Sequence, residues 1–279
     1  MEPDRLAELA ALVRQQEAAR AAAERRISAL VTASVRDFTD WYDGPKITAW
    51  TRSLVRLIQP VQRSLARSTD SYLARASSVT TGRKVRPVGA VNVASLRAGR
   101  SHEGAYGRAA DTYRYQAFRL EQPDAPRLVS PQQAAATRAA SVAEMDALLP
   151  VRRQAQEFMT RQPKVTGYRR VIHPELSAGG TCGLCVAASD RLYAPQELMP
   201  IHSRCACLPM PVYDFNDPGS LLNKGDLTRL YEDAGGNSYG GDLKRTRYRI
   251  VDNSETGPTL VAADAEVRTA ADVQRDTRS

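Results

Sequence analysis

The stretch GGTCGLCVAASDRLYAPQELMPIHSRCACLPMPV, residues 179–212, contains all four cysteines of a 279-residue chain and one of its three histidines. Its candidate ligands are spaced C-x2-C-x16-H-x2-C-x-C: Cys182, Cys185, His202, Cys205 and Cys207. A zinc ion takes four such ligands in a tetrahedron, with sulfur at about 2.3 Å and imidazole nitrogen at about 2.0 Å. A C-x2-C turn aims two sulfurs at one point, with Gly183 relieving its backbone, and the arm from His202 to Cys205 supplies two more ligands. The preferred set is Cys182, Cys185, His202 and Cys205, since both pairs then share the x2 spacing. Cys207 is the alternative. If the CAC segment is extended, Cys205 and Cys207 point to the same face, and an all-cysteine site would leave His202 aside.

Thiols stay reduced in the cytosol, where clustered cysteines are metal ligands more often than disulfides; two disulfides are the rival reading. The segment from Tyr168 to Val212 has about 45 residues, near the size at which a hydrophobic core alone seldom suffices. A structural zinc contributes folding free energy directly, on the order of 10 kcal/mol in small zinc peptides. Four protein ligands leave no coordination position for a catalytic water.

Outward from this module the texture differs. Upstream, Leu6, Leu9, Val13, Gln16, Arg20, Ala23, Ile27, Leu30, Ser34 and Trp41 recur at three- and four-residue steps and predict one long helix. Its narrow seam suits either a partner helix or its own bundle. Asp43-Gly44-Pro45-Lys46 breaks it, a second helix follows from Ile47, and Pro60 is expected to kink or restart that helix. Ser77 to Val93 loses periodicity and reads as a basic loop. A helix is expected over 101–120, with Tyr106, Tyr113 and Phe118 as core. Another starts at Ser130-Pro131, passes a bend at Pro150 and ends near Arg161. Short strands are expected at Tyr168–Ile172, Arg191–Tyr193 and Cys207–Val212, a helix around Leu221 to Tyr231, a strand at 245–251, and a flexible tail beyond Asn253.

The fold class is therefore mainly α: long N-terminal helices, then a small zinc-stapled α+β module and a flexible C-terminal tail. The divisions are 1–165, 166–213 and 214–279. Aromatics at 6% leave the core to Ala, Leu and Val. Net charge is +8, and residues 1–100 hold 17 Lys/Arg against 9 Asp/Glu, whereas residues 201–279 hold 10 against 12. The basic excess points to nucleic acid, or to solvated helix faces in a GC-rich coding bias. The acidic start MEPDRLAELA lacks a secretory signal's character, and no run reaches the roughly 18 apolar residues a span needs, so a membrane role is not expected.

Together, the helical N-terminal region, the strand YRRVI, the CGLC knuckle, the strand RLY after Ser189-Asp190 and the segment MPIHSRCACLPMPV resemble the MuF-like phage head morphogenesis (minor capsid) proteins over residues 168–213. The resemblance implies a non-catalytic virion protein, assembled in the host cytoplasm and carried in few copies in the capsid interior or at the portal vertex, where it would assist head assembly, DNA packaging or DNA delivery. It implies the portal and other capsid proteins as partners, with packaged DNA as a further one through the basic N-terminal region. An HNH-type nuclease, with His173 as general base and Asp190 as metal ligand, is a competing reading, as is a zinc-containing DNA-binding protein. His173 is followed at once by Pro174 and has no second histidine near it, which disfavours the nuclease. His102 has no nucleophile signature around it.

Overall fold

A computed structural model describes residues 1–97, 101–121, 129–172, 188–196, 207–214, 216–233, 248–253 and 257–262. Among these, the chain is mainly helical, with a small antiparallel sheet. The helices are α1 (Pro3–Arg36), α2 (Gly44–Thr81), α3 (His102–Leu120), α4 (Pro131–Arg161) and α5 (Pro218–Asp233), and a 3-10 turn occupies Val93–Ser95. Strands β1 (Val165–Val171), β2 (Leu192–Tyr193) and β3 (Leu208–Tyr213) form a sheet in the order β2-β1-β3; β4 (Tyr248–Asn253) and β5 (Gly257–Ala262) form a separate antiparallel pair. No described helix is long and apolar enough to cross a membrane.

By packing the chain divides into two units: residues 1–18, 68–89 and 152–279, and residues 19–67 and 90–151. Neither corresponds to the sequence divisions at 165 and 213, because both draw on α1, α2 and α4.

In the second unit, Ile27, Val31 and Val35 of α1 meet Trp50, Leu54 and Ile58 of α2, with Ala135, Ala139 and Ala143 contributed by α4. Each set steps by four residues, which places it on one helix face. The alanines let helix axes approach closely. Helix α1 thus buries its seam within its own chain. It ends at Arg36 and not at Trp41, because Asp43 caps α2: its Oδ1 accepts from the Lys46 N–H at 3.0 Å. Trp41 instead stacks on Tyr113 at 5.0 Å and meets Trp50 edge-on at 5.6 Å. Its indole N–H donates to Gln132, whose amide donates to the Val35 carbonyl at 2.7 Å, satisfying one of the orphan acceptors at the α1 C-terminus.

Both helix prolines lie inside continuous helices, so neither restarts one. Pro150 has no N–H to offer the carbonyl four residues back, that of Asp146. The buried Gln62 side chain on α2 donates to this same carbonyl at 3.0 Å and fills the gap.

Three further expectations are corrected. Residues 77–81 belong to α2, where the Thr80 and Thr81 hydroxyls donate to the Ala76 and Ser77 carbonyls. The helix stops at Gly82, whose φ of 67° is left-handed and whose N–H donates to Ser78 O. Phe118 is 59% exposed, whereas Tyr106 and Tyr113 belong to the core as expected. Beyond Asn253 the chain is not simply a tail, since β5 pairs with β4 over 257–262.

In the first unit, β3 carries Pro209 and Pro211 yet pairs with β1 from Leu208 to Tyr213. An edge strand tolerates proline where the nitrogen faces away from the ladder, and a two-residue spacing puts both on that side. They also remove two donors from the free edge, which discourages addition of another strand. Gly167 is required by close approach: a Cβ there would lie 2.9 Å from the Tyr193 carbonyl oxygen.

Candidate functional site

Cys182, Cys185, His202 and Cys205 lie outside the described residues, as does His173; Cys207 and Asp190 lie within them. Among the described residues no group of three or more His, Cys, Asp or Glu side chains is placed to hold a metal. What is described is the sheet from which the cysteine arms depart.

Strand β1 ends at Val171, paired with Leu208 at the start of β3. Hence Ile172, where the chain departs toward Cys182 and Cys185, and Cys207, where it returns from His202 and Cys205, emerge at the same end of the sheet. Two arms separated by some twenty residues of sequence are anchored side by side by an antiparallel ladder. That register suits a clamp with two ligands from each arm.

Cys207 is half-buried, and the Arg170 guanidinium donates to its Sγ at 3.4 Å. Arg170 is 6% exposed and lies 5.4 Å from the Tyr193 ring centroid and 6.0 Å from that of Tyr168. Those rings stack on each other at 5.2 Å. A cation held beside sulfur suits the thiolate form, in which cysteine binds metal. This single described donor suits a metal, which keeps Cys207 among the candidates. Asp190 is exposed.

Helix α5 braces this end of β1. Asp217 caps it by accepting from the Ser220 N–H at 3.0 Å and also accepts from Arg169 Nε at 2.6 Å. Buried Asn223 accepts from the Ile172 N–H at 3.0 Å and donates to the Arg170 carbonyl at 2.7 Å. Thus both main-chain groups at the departure point of the first arm are fixed by one side chain. Sequence reasoning singled out neither residue: Asp217 before Pro218 is a cap signature that could have been read, whereas nothing marked Asn223.

The second unit holds a polar cluster that sequence reasoning missed. The Asp146 carboxylate accepts from Arg97 Nη2 at 2.7 Å through Oδ1 and from the Tyr106 hydroxyl at 2.7 Å through Oδ2. His102 Nδ1 lies 3.2 Å from Oδ1 and 3.4 Å from Arg97 Nε. One nitrogen cannot donate to the first and accept from the second at once. Placing the proton on Nδ1 gives the shorter bond, to the carboxylate, and avoids opposing two acceptors. Burial by itself would raise the Asp146 pKa, but the His102 bond, the Arg97 charge and the Tyr106 hydroxyl more than offset it, and the carboxyl sits below the usual carboxylate value. Burial, reinforced by Asp146, holds the Tyr106 phenol well above its ordinary value. All four side chains are at most 2% exposed, so no substrate reaches them in this conformation. The cluster ties the segment before α3 to α3 and α4.

No family model, curated protein or solved structure matches this chain.

Proposed function

We propose that this chain is a structural minor capsid protein of the MuF-like head morphogenesis type, acting at the portal vertex of a tailed phage by binding and not by turnover. One structural zinc is held by four of Cys182, Cys185, His202, Cys205 and Cys207. The observation that carries this reading is the antiparallel register of β1 and β3, which anchors both cysteine arms at one end of a three-stranded sheet. The order of elements supports it: long helices first, then strands at the positions expected for the YRRVI, RLY and CLPMPV segments. The partners are the portal and neighbouring capsid proteins.

Metal analysis of the purified chain should return one zinc per chain. Thiol titration under native conditions should find most cysteines unreactive until a strong chelator is added. A folded, metal-free chain with all four thiols reactive overturns the zinc, and absence from purified virions and from portal pull-downs overturns the assignment.

A further inference from the structure

Between Asp70 and Glu103 the chain has no acidic residue, and Arg75, Arg83, Lys84, Arg86, Arg97 and Arg100 fall in that interval. Arg97 is turned inward to Asp146. Arg83, Lys84 and Arg86 lie instead on the exposed segment that follows α2.

This segment is fixed along its main chain. Asp70, 3% exposed, accepts from the Val88 N–H at 3.1 Å through one oxygen and from the Gly89 N–H at 2.8 Å through the other. Ser78 Oγ accepts from the Val85 N–H at 2.9 Å. From α4, Gln154 donates to the Gly89 carbonyl at 3.0 Å and Arg161 to that of Val88 at 3.3 Å. Gly82 and Gly89, both at positive φ, bound the segment. A buried carboxylate committed to two loop N–H groups holds the backbone in place while its basic side chains remain outside.

Two of those side chains border two concavities. Arg83 and Lys84 line both: a larger one of about 830 Å³ together with Lys164 and Asp214, and a smaller one of about 400 Å³ together with Arg5 and Arg75. Arg75 pairs with Glu8 at 3.3 Å. Arg83, Lys84, Arg86 and Lys164 have no acidic partner among the described residues. Four unpaired cations on a fixed frame favour an extended polyanion. Single-strand binders add exposed aromatic platforms for the bases. Among the described residues the one aromatic at these concavities is Tyr213, and it is buried. That leaves phosphate contact without base contact, as made to a duplex backbone.

We infer that the loop 82–89, with Arg83, Lys84, Arg86 and Lys164, is a contact surface for the phosphate backbone of double-stranded DNA. The inference deepens the capsid reading by naming a partner, and rests on it only for where the DNA comes from.

The test is fluorescence anisotropy of the full chain with a labelled 30-base-pair duplex of arbitrary sequence, from 50 to 200 mM KCl. Log affinity should fall against log salt with a slope of about −4, from about −0.9 per neutralised phosphate. Replacing Arg83, Lys84, Arg86 and Lys164 together by Ala should weaken binding at least tenfold at 100 mM salt and flatten the slope by about one per contact removed. Replacing Arg52, Arg56, Arg63 and Arg67 by Ala makes the same charge change on exposed positions of α2 and should leave most of the slope intact. Arg83→Lys with Arg86→Lys should retain binding. Equal losses in the two quadruple variants, or equally tight binding of polyglutamate, overturn the inference. A chain with this binding pattern that is absent from virions would overturn the capsid reading and leave the surface standing; a virion protein without the pattern does the reverse.

Discussion

Asp146 works through both its main chain and its side chain. Its carbonyl, deprived of a helical donor by Pro150, accepts from Gln62, and its carboxylate gathers Arg97, His102 and Tyr106. Removing the charge leaves Arg97 buried beside a neutral group, so Asp146→Asn should cost about 3 kcal/mol in urea unfolding. Because the folded carboxyl titrates below its unfolded value of about 3.9, its contribution is fully present above that pH and is lost as pH falls through the folded value. Urea midpoints measured from pH 6 down to pH 2 should therefore fall less steeply in Asp146→Asn below about pH 4. The main-chain contact gives a second test. Gln62→Leu should cost about 1 to 3 kcal/mol by orphaning a buried carbonyl. In the Pro150→Ala background the restored helical N–H takes over, and the cost should shrink; a double-mutant cycle with no coupling would refute the gap-filling role.

Among the elements, the three-stranded sheet is the most dependent on fit. Only two residues of β2 pair with β1, and Gly167 beside them sits at a register irregularity of the β1–β3 ladder. Gly167→Ala would drive its Cβ against the Tyr193 carbonyl and the Leu192 side chain, and the carbonyl does not yield without moving β2. Thermal unfolding should show a loss of about 1 to 3 kcal/mol, and zinc retention against a competing chelator should fall with it. The start of α4 was legible in sequence because it depends on adjacent residues: Ser130 Oγ accepts from the Gln133 N–H ahead of Pro131. Helix α2 begins at Gly44, ahead of the expected Ile47, because Asp43 caps it. The continuation of α2 through Pro60 was not legible, since buried neighbours such as Ile58, Gln62 and Leu65 hold the helix against a local breaker.

At the scale of the whole molecule, each packing unit is assembled from distant pieces of chain. The unit that contains the sheet also contains the first turns of α1 and the last turns of α2, tied by Gln16 to Thr69 at 2.8 Å and by Asn216 to the Thr80 carbonyl at 2.9 Å. A chain truncated after Lys164 would keep every residue of the second unit and lose the sheet from the first. It should bind a hydrophobic dye more strongly than the full chain and unfold in urea with a smaller m-value, because the first unit loses its sheet and the Asn216 contact to Thr80, and less surface remains to be exposed on unfolding. A fragment as compact as the intact chain would instead support the sequence division at 165.

The sequence by itself determined the element order as far as β4, most helix starts, the approximate positions of β1 to β4 and the composition of the cysteine arms, all of which follow from contacts within a few residues. Only the tertiary structure decided how those pieces divide into units, that Arg97, Tyr106 and Gln62 converge on Asp146 from 49, 40 and 84 residues away, and that Arg170 lies beside Cys207. The physical reason is that a buried polar group needs partners wherever the packed helices and strands bring them, and separation along the chain carries no signal of which partner will arrive.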